Sequence, residues 1–386
     1  MKTTSFLFLL FFLTPLLWAR PIGMEELQNK WSGSFGLSED GHYSAQIAGA
    51  EAPSYIEKRF EVPLSLSQKF IRVKMKVSDL SSLQGIELRL TSQEEGYSDF
   101  YSIAIPLFTD PQFNIVQSDS WFTYTFTLGE ARVHGNPNLD EIVRLGFYLG
   151  GEDVEIAFKE LSIEESFPQA VVSFTFDDSY DDHFVAAEIM ANYNIPGTAY
   201  IMPRQINEKN YLTTGQLRIM AEDLGWDLSS HHKTPIVDFP YHELDNEFNY
   251  TLGYLNALGS TESARHFAYP LGKQDRKQTL PLIRRTFDTA RIAGGGAETL
   301  PPADWHMLRT FNVMPNLSAE DILARVQKAK EQGEWLILMF HYIVDEENPT
   351  DPLAYNKEEF AKLCRLLYED GVSLMSVNEV YQNFQR

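Results

Sequence analysis

The chain has 386 residues, 44% hydrophobic and 13% aromatic, enough for two or three packed domains and too apolar to stay disordered. Its 32 basic residues against 54 acidic ones leave a net charge of −22, which repels phosphate backbones and anionic lipid surfaces. Nucleic acid is therefore excluded as the expected partner, whereas a neutral or cationic ligand fits.

Residues 1–19 place Lys2 ahead of an apolar run from Phe6 to Trp18 that Thr14 and Pro15 interrupt. This run falls short of the roughly 20 apolar residues of a membrane span and reads as a signal peptide cleaved after Ala19. The expected location is secreted or periplasmic, with no membrane attachment after cleavage.

From residue 24 to 165 short runs alternate apolar and polar residues: YIEKRFEV, FIRVKMKV, GIELRLTS, YSIAIPLF, WFTYTFTL, VRLGFYLG and VEIAFKELSI. A period of two marks half-buried strands, and seven of them separated by Gly, Pro, Asn and Ser predict an all-β, jelly-roll-like sandwich. Exposed aromatics such as Tyr97, Phe100, Tyr101 or Trp121 would give such a module a carbohydrate-binding face.

From about residue 170 to 386 the pattern changes to apolar strand followed by amphipathic helix. VVSFTF, GTAYIM, WDLSSH, RHFAYP, TARIA, MLRTFNV, WLILMF and VSLMSV are the strand candidates. Helical stretches at 183–193, 213–225, 247–259, 318–333 and 356–371 separate most of them. Seven or eight strand-helix units in about 215 residues predict an α/β fold with a closed parallel barrel. Ser318 and Asp321 form a capping pair, and Gly333 and Gly371 are natural helix stops. The only cysteine, Cys364, has no partner for an internal disulfide and reads as an apolar core residue of the last of these helices. The run Gly294–Gly296 lacks the residues of a phosphate loop and reads as a mobile loop.

The polar residues that end the strands carry the chemistry. Asp177 and Asp178 follow VVSFTF, His231 and His232 follow WDLSS, Gly272 closes HFAYPLG and His341 follows WLILMF. In a parallel barrel these ends meet on one rim. Two adjacent carboxylates repel each other unless a cation or a proton lies between them, and imidazoles are suitable companions for such a cation. The combination reads as a hydrolase that uses a divalent metal, with a spare carboxylate and a spare histidine as base and acid.

The successive segments SFTFDDS (173–179), SSHHKTP (229–235), FAYPLG (267–272) and LILMFH (336–341) resemble the motifs of the polysaccharide deacetylases, the NodB-homology domains of carbohydrate esterase family four. The resemblance covers about 171–377 and implies a distorted (β/α)7 barrel. It implies Asp177 as the general base and His341 as the acid, with Asp178 and His231 as ligands of a divalent metal, zinc in the first place and cobalt or nickel as alternatives. Tyr269, Pro270, Leu271 and Gly272 would line the groove and help hold the oxyanion. An N-acetylated polysaccharide is the implied partner. The sequence departs from the family pattern in three places. Pro235 stands where the second histidine of H-x-x-x-H would be, which leaves His232 as the third ligand and His242 or Asp238 as more distant substitutes. Ala268 replaces an arginine, for which Arg309 is the substitute. The Asp-Trp pair that orients the acid histidine has only a loose counterpart in Asp304 and Trp305. The expected function is removal of N-acetyl groups from amino sugars of a polysaccharide. The alternatives are a catalytically impaired carbohydrate-binding relative and an O-acetyl esterase on the same scaffold.

Overall fold

A computed structural model describes residues 19–30, 33–49 and 53–385. The predicted leader lies outside these apart from Ala19, which opens the first strand. The first part of the chain consists of β1 (Ala19–Pro21), β2 (Gln28–Asn29), β3 (Ser34–Leu37), β4 (Tyr43–Ile47), β5 (Ser54–Leu64), β6 (Lys69–Val77), β7 (Leu83–Thr91), β8 (Phe100–Ala104), β9 (Phe122–Phe126), β10 (Arg132–His134), β11 (Ile142–Gly151) and β12 (Val154–Glu165). They form two antiparallel sheets, ordered β3-β4-β12-β6-β9 with β1 beside β12, and β10-β8-β7-β11-β5-β2. Alternation decides the inner faces: Ile71, Val73, Met75 and Val77 of one sheet share a core with Ile86, Leu88 and Leu90 of the other. Where the period breaks at Lys159 and Glu160, the β12–β6 register shifts between Phe158 and Glu160. A bulge there returns Leu161 to the core.

The second part begins at β13 (Val171–Phe176) and runs through α1 (Asp182–Ala191), β14 (Gly197–Ile201), α2 (Thr214–Glu222), β15 (Asp227–Ser230), α3 (Tyr241–Ala257), β16 (His266–Ala268), α4 (Leu280–Thr286), β17 (Thr289–Gly295) and β18 (Leu308–Asn312). It continues with α5 (Ala319–Gln332), β19 (Trp335–Phe340), β20 (Tyr342–Val344), β21 (Ala354–Asn356), α6 (Lys357–Asp370), β22 (Ser373–Leu374) and α7 (Val377–Phe384). Strands β13 to β19 close into a seven-stranded parallel barrel, the fold that the resemblance implies. The last strand candidate, VSLMSV, is no stave of this barrel. Ser373 and Leu374 pair with Val171 and Val172 at the foot of β13, while β14 pairs higher, at Phe174–Phe176.

Every residue of β13 and β19 is buried, as expected for parallel strands covered on both sides. At about 1.5–3 kcal/mol per fully buried apolar side chain, these strands stabilise the barrel more than any polar pair at its rim. Ser318 and Asp321 form the expected capping box on α5, and Gly333 and Gly371 end α5 and α6 in the left-handed region. Gly294 and Gly295 are the last residues of β17. A Cβ on Gly295 would fall 2.8 Å from Arg309, and one on Gly296 2.7 Å from Glu130 of the sandwich, so this glycine run permits close packing.

Candidate active site

Register brings the strand-end residues together. In the β13–β19 pairing Phe176 lies opposite Phe340, so Asp177 and His341 leave the barrel side by side, and the Asp177 N–H donates to the Phe340 carbonyl at 3.0 Å. Ile201 lies opposite Ser230, and the next residue, His231, donates its N–H to the Ile201 carbonyl. Ala268 lies opposite Arg291, and the Tyr269 N–H reaches the Arg291 carbonyl. Asp177, His341, His231, Tyr269 and Arg291 therefore occupy one level of the carboxyl-terminal rim.

The two aspartates diverge there. Asp177 is buried and bonds to the Arg291 guanidinium. Asp178 and Ser179 both adopt left-handed backbone, at φ 73° and 64°. Consecutive non-glycine residues in that region cost of order 1–3 kcal/mol each. The surrounding structure enforces them: the Ser179 hydroxyl accepts from the Met202 N–H, and its carbonyl from the Leu212 N–H. This turn aims Asp178 at His231, with Oδ1 and Nε2 3.3 Å apart. Burial alone would raise the Asp178 carboxyl, but the hydrogen bond and charge of His231, with the charges of His341 and His183, hold it down at about 2. His231 shows the reverse balance: burial lowers it, and the bond to Asp178 with the charges of both aspartates carries it above its ordinary value. Burial lowers His341 despite the opposing charges of Asp177 and Asp178.

His231 Nδ1–H donates to the Ala268 carbonyl at 2.8 Å, which holds the ring so that Nε2 faces Asp178, as a donor to the carboxylate or, with a cation between them, as a ligand nitrogen. Asp178 and His231 are thus suited to share a cation. His232 does not join them. Neighbouring residues at a strand end face opposite ways, and His232 sets its Nε2 3.4 Å from Glu247 and its ring edge-on against Phe239. Its Nδ1 accepts from the Thr234 N–H at 3.1 Å. His242 is exposed beside Glu243, and Asp238 is exposed on a short 3-10 turn. Among the described residues no group of three His, Cys, Asp or Glu is arranged to hold a metal ion. The donor set present is the pair Asp178 and His231.

Of the segment expected to line the groove, Tyr269, Pro270 and Gly272 are buried and Leu271 is exposed. Tyr269 is buried with its hydroxyl donating to the His306 carbonyl, and Pro270 is buried behind it. Leu271, at φ 56°, presents itself at 67% exposure. A Cβ on Gly272 would stand 2.9 Å from Ala293, so the turn requires glycine there. Arg309 belongs elsewhere. Its guanidinium pairs with Glu298 at 2.9 Å and donates to the carbonyl and hydroxyl of Thr125, fastening the barrel to the sandwich. The arginine that reaches the site is Arg291, which sequence reasoning missed inside TARIA. It crosses the barrel interior over the Tyr200 ring, 4.4 Å away, and against Met339. Asp304 pairs with Arg284, and Trp305 packs on Tyr381 and on Trp335, the first residue of β19. His341 follows the last residue of that strand, so the Asp-Trp pair sits at the opposite end of the barrel.

Residues 164–285 match the family model described as Polysaccharide deacetylase. The match includes Asp177, Asp178, His231 and Tyr269–Gly272, and ends before Arg291 and His341. A search of curated proteins gives no match. Among solved structures, the chain resembles the Xyl-CE4 domain of a multidomain xylanase from the hindgut metagenome of Trinervitermes trinervoides, at 12% identity over 56% of this chain and 91% of that chain, with a TM-score of 0.38. It also resembles the Streptococcus pyogenes deacetylase PplD in complex with acetate, at 21% identity over 40% and 69% of the two chains, with a TM-score of 0.37. A third is a family 4 acetyl xylan esterase from Clostridium thermocellum in complex with a cobalt ion, at 17% identity over 55% and 91%, with a TM-score of 0.37. The chain is thus similar to the polysaccharide deacetylases over residues 164–285, from the end of β12 to α4.

Proposed function

We propose that the chain is a secreted hydrolase that removes N-acetyl groups from amino sugars of a polysaccharide, with a divalent cation held by Asp178 and His231 and with the sandwich holding the polymer. The observation that carries this reading is the convergence on one rim of a paired carboxylate, an Asp178–His231 donor pair and the half-buried His341, in a barrel whose first part matches the polysaccharide deacetylase model. When bound, the cation would supply a water of lowered pKa and polarise the acetyl carbonyl. Asp177, oriented by Arg291, is placed to take the proton of the attacking water, and His341 beside it to give one to the departing amine. Leu271, exposed on the left-handed turn before the buried Gly272, is the residue of this segment placed to meet the substrate.

Acetate release from peptidoglycan, chitin-like oligomers, poly-N-acetylglucosamine and acetylated xylan, with and without a chelator and alongside metal analysis, tests the reading. Chelator-sensitive release from an N-acetylated glycan supports it. One observation favours a second reading: with His232 turned to Glu247, no third side chain joins Asp178 and His231 for the cation among the described residues. A chain that retains glycan yet frees no acetate under zinc, cobalt or nickel supplementation is a carbohydrate-binding protein instead.

A further inference from the structure

Four residues beyond Asp178, α1 opens with Asp182 and His183, and both grip the segment that carries His341. The His183 Nε2–H donates to the carbonyl of His341 at 2.7 Å, and the Ile343 N–H is close enough to the Asp182 carboxyl to lower its pKa. The groups on either side of Tyr342 thus both face one helix end. His183 is fully buried between Phe176 and Tyr180, with ring centroids 5.3 and 5.9 Å away. Its Nδ1 and the Asp182 Oδ1 are buried without hydrogen-bond partners. Burying a polar atom without a partner is unfavourable, so two polar residues are a costly way to fill this position if packing is their only task. Burial moves both groups far from their ordinary values, Asp182 up to about 7 against the bond from Ile343 and His183 down to about 4. The Asp-Trp pair that would orient the acid histidine lies at the other end of β19, which leaves that task open at the rim.

We propose that Asp182 and His183 are positioning residues that clamp the 341–343 segment and so hold the His341 imidazole beside Asp177 and Asp178. Its rate readout rests on the deacetylase reading, while its spectroscopic readout does not. The variants are His183→Leu, which keeps bulk and loses the donor, His183→Asn, whose amide can still donate, and Asp182→Ala. The measurements are kcat and KM for acetate release across pH, and titration of the His341 ring by NMR. His183→Leu lowers kcat by about tenfold to a hundredfold, as expected for misplacement of a reacting group, with KM changed by less than about twofold. Its His341 titrates higher than in the parent, toward the ordinary imidazole value, because the ring leaves its buried seat. Asp182→Ala moves both readouts in the same direction and replaces His183→Leu if that variant fails to fold. His183→Asn stays close to the parent. The clamp is overturned if the leucine variant, or Asp182→Ala in its place, leaves kcat and the His341 titration unmoved, or if His183→Asn is as impaired as His183→Leu. If the parent frees no acetate from any glycan, the titration alone decides.

Discussion

Arg291 and Asp177 form a buried ion pair across the interior of the barrel, from β17 to the end of β13, with two strands between them on one side and three on the other. Removing one partner of such a pair leaves the other charged in a place without water, a loss of about 3–5 kcal/mol. Arg291→Met should therefore destabilise the fold by about that amount in urea titrations. Asp177→Asn added to it should return part of the loss, and an additive double variant would show that the two side chains do not depend on each other.

Within the aspartate pair the roles differ by direction. Asp177→Asn should leave cation affinity nearly unchanged while lowering acetate release on the order of 10²- to 10⁴-fold, the range of a lost general base. Asp178→Asn should weaken the cation itself, with partial recovery in excess metal, and His341→Ala should resemble Asp177→Asn. Calorimetric metal titration beside the rate assay separates the cases. Loss of the cation in Asp177→Asn with retention in Asp178→Asn would reverse the assignment.

Because His232 bonds to Glu247 and not to Asp178, His232→Ala should bind zinc or cobalt as the parent does. His231→Ala should bind neither, having lost the nitrogen that the Ala268 carbonyl fixes in place. Equilibrium dialysis against either metal decides this, and a large loss of affinity in His232→Ala would bring that histidine back among the ligands.

Asp182 gives the fold a pH dependence of known sign. Burial pushes its carboxyl up to about 7 in the folded chain from the ordinary 3.8, so between those values the folded chain holds a proton that the unfolded chain has released. Stability is thereby lost as pH rises from about 4 through 7, by at most about 4 kcal/mol at 1.36 kcal/mol per unit. Asp182→Asn resembles the protonated acid, keeps an acceptor for the Ile343 N–H and carries no charge. Its melting temperature should exceed that of the parent at pH 8 and approach it by pH 4. Equal melting curves at pH 8 would contradict the buried charge.

Much of this architecture is legible in the sequence because it depends on local periodicity. Seven alternating runs became β5 to β9, β11 and β12, and VVSFTF and WLILMF became fully buried parallel strands. Parallel strands place their ends on one rim, so Asp177, Asp178, His231 and His341 could be gathered before any coordinates. α4 carries a proline at its start and runs for seven residues, and α7 runs for eight, too short for a periodic signal to stand out.

Which way a side chain faces was decided by tertiary structure. A barrel strand is covered on both sides, so its sequence carries no polar alternation that separates the interior from the outer face. Arg291 and Arg309 therefore look alike in sequence, yet one points inward to Asp177 and the other outward to Glu298 and Thr125. His231 and His232 differ by a single step, and that step sends one to Asp178 and the other to Glu247. The motifs bring donors to the rim. Register and strand face, which arise only when seven strands close on one another, select those that meet.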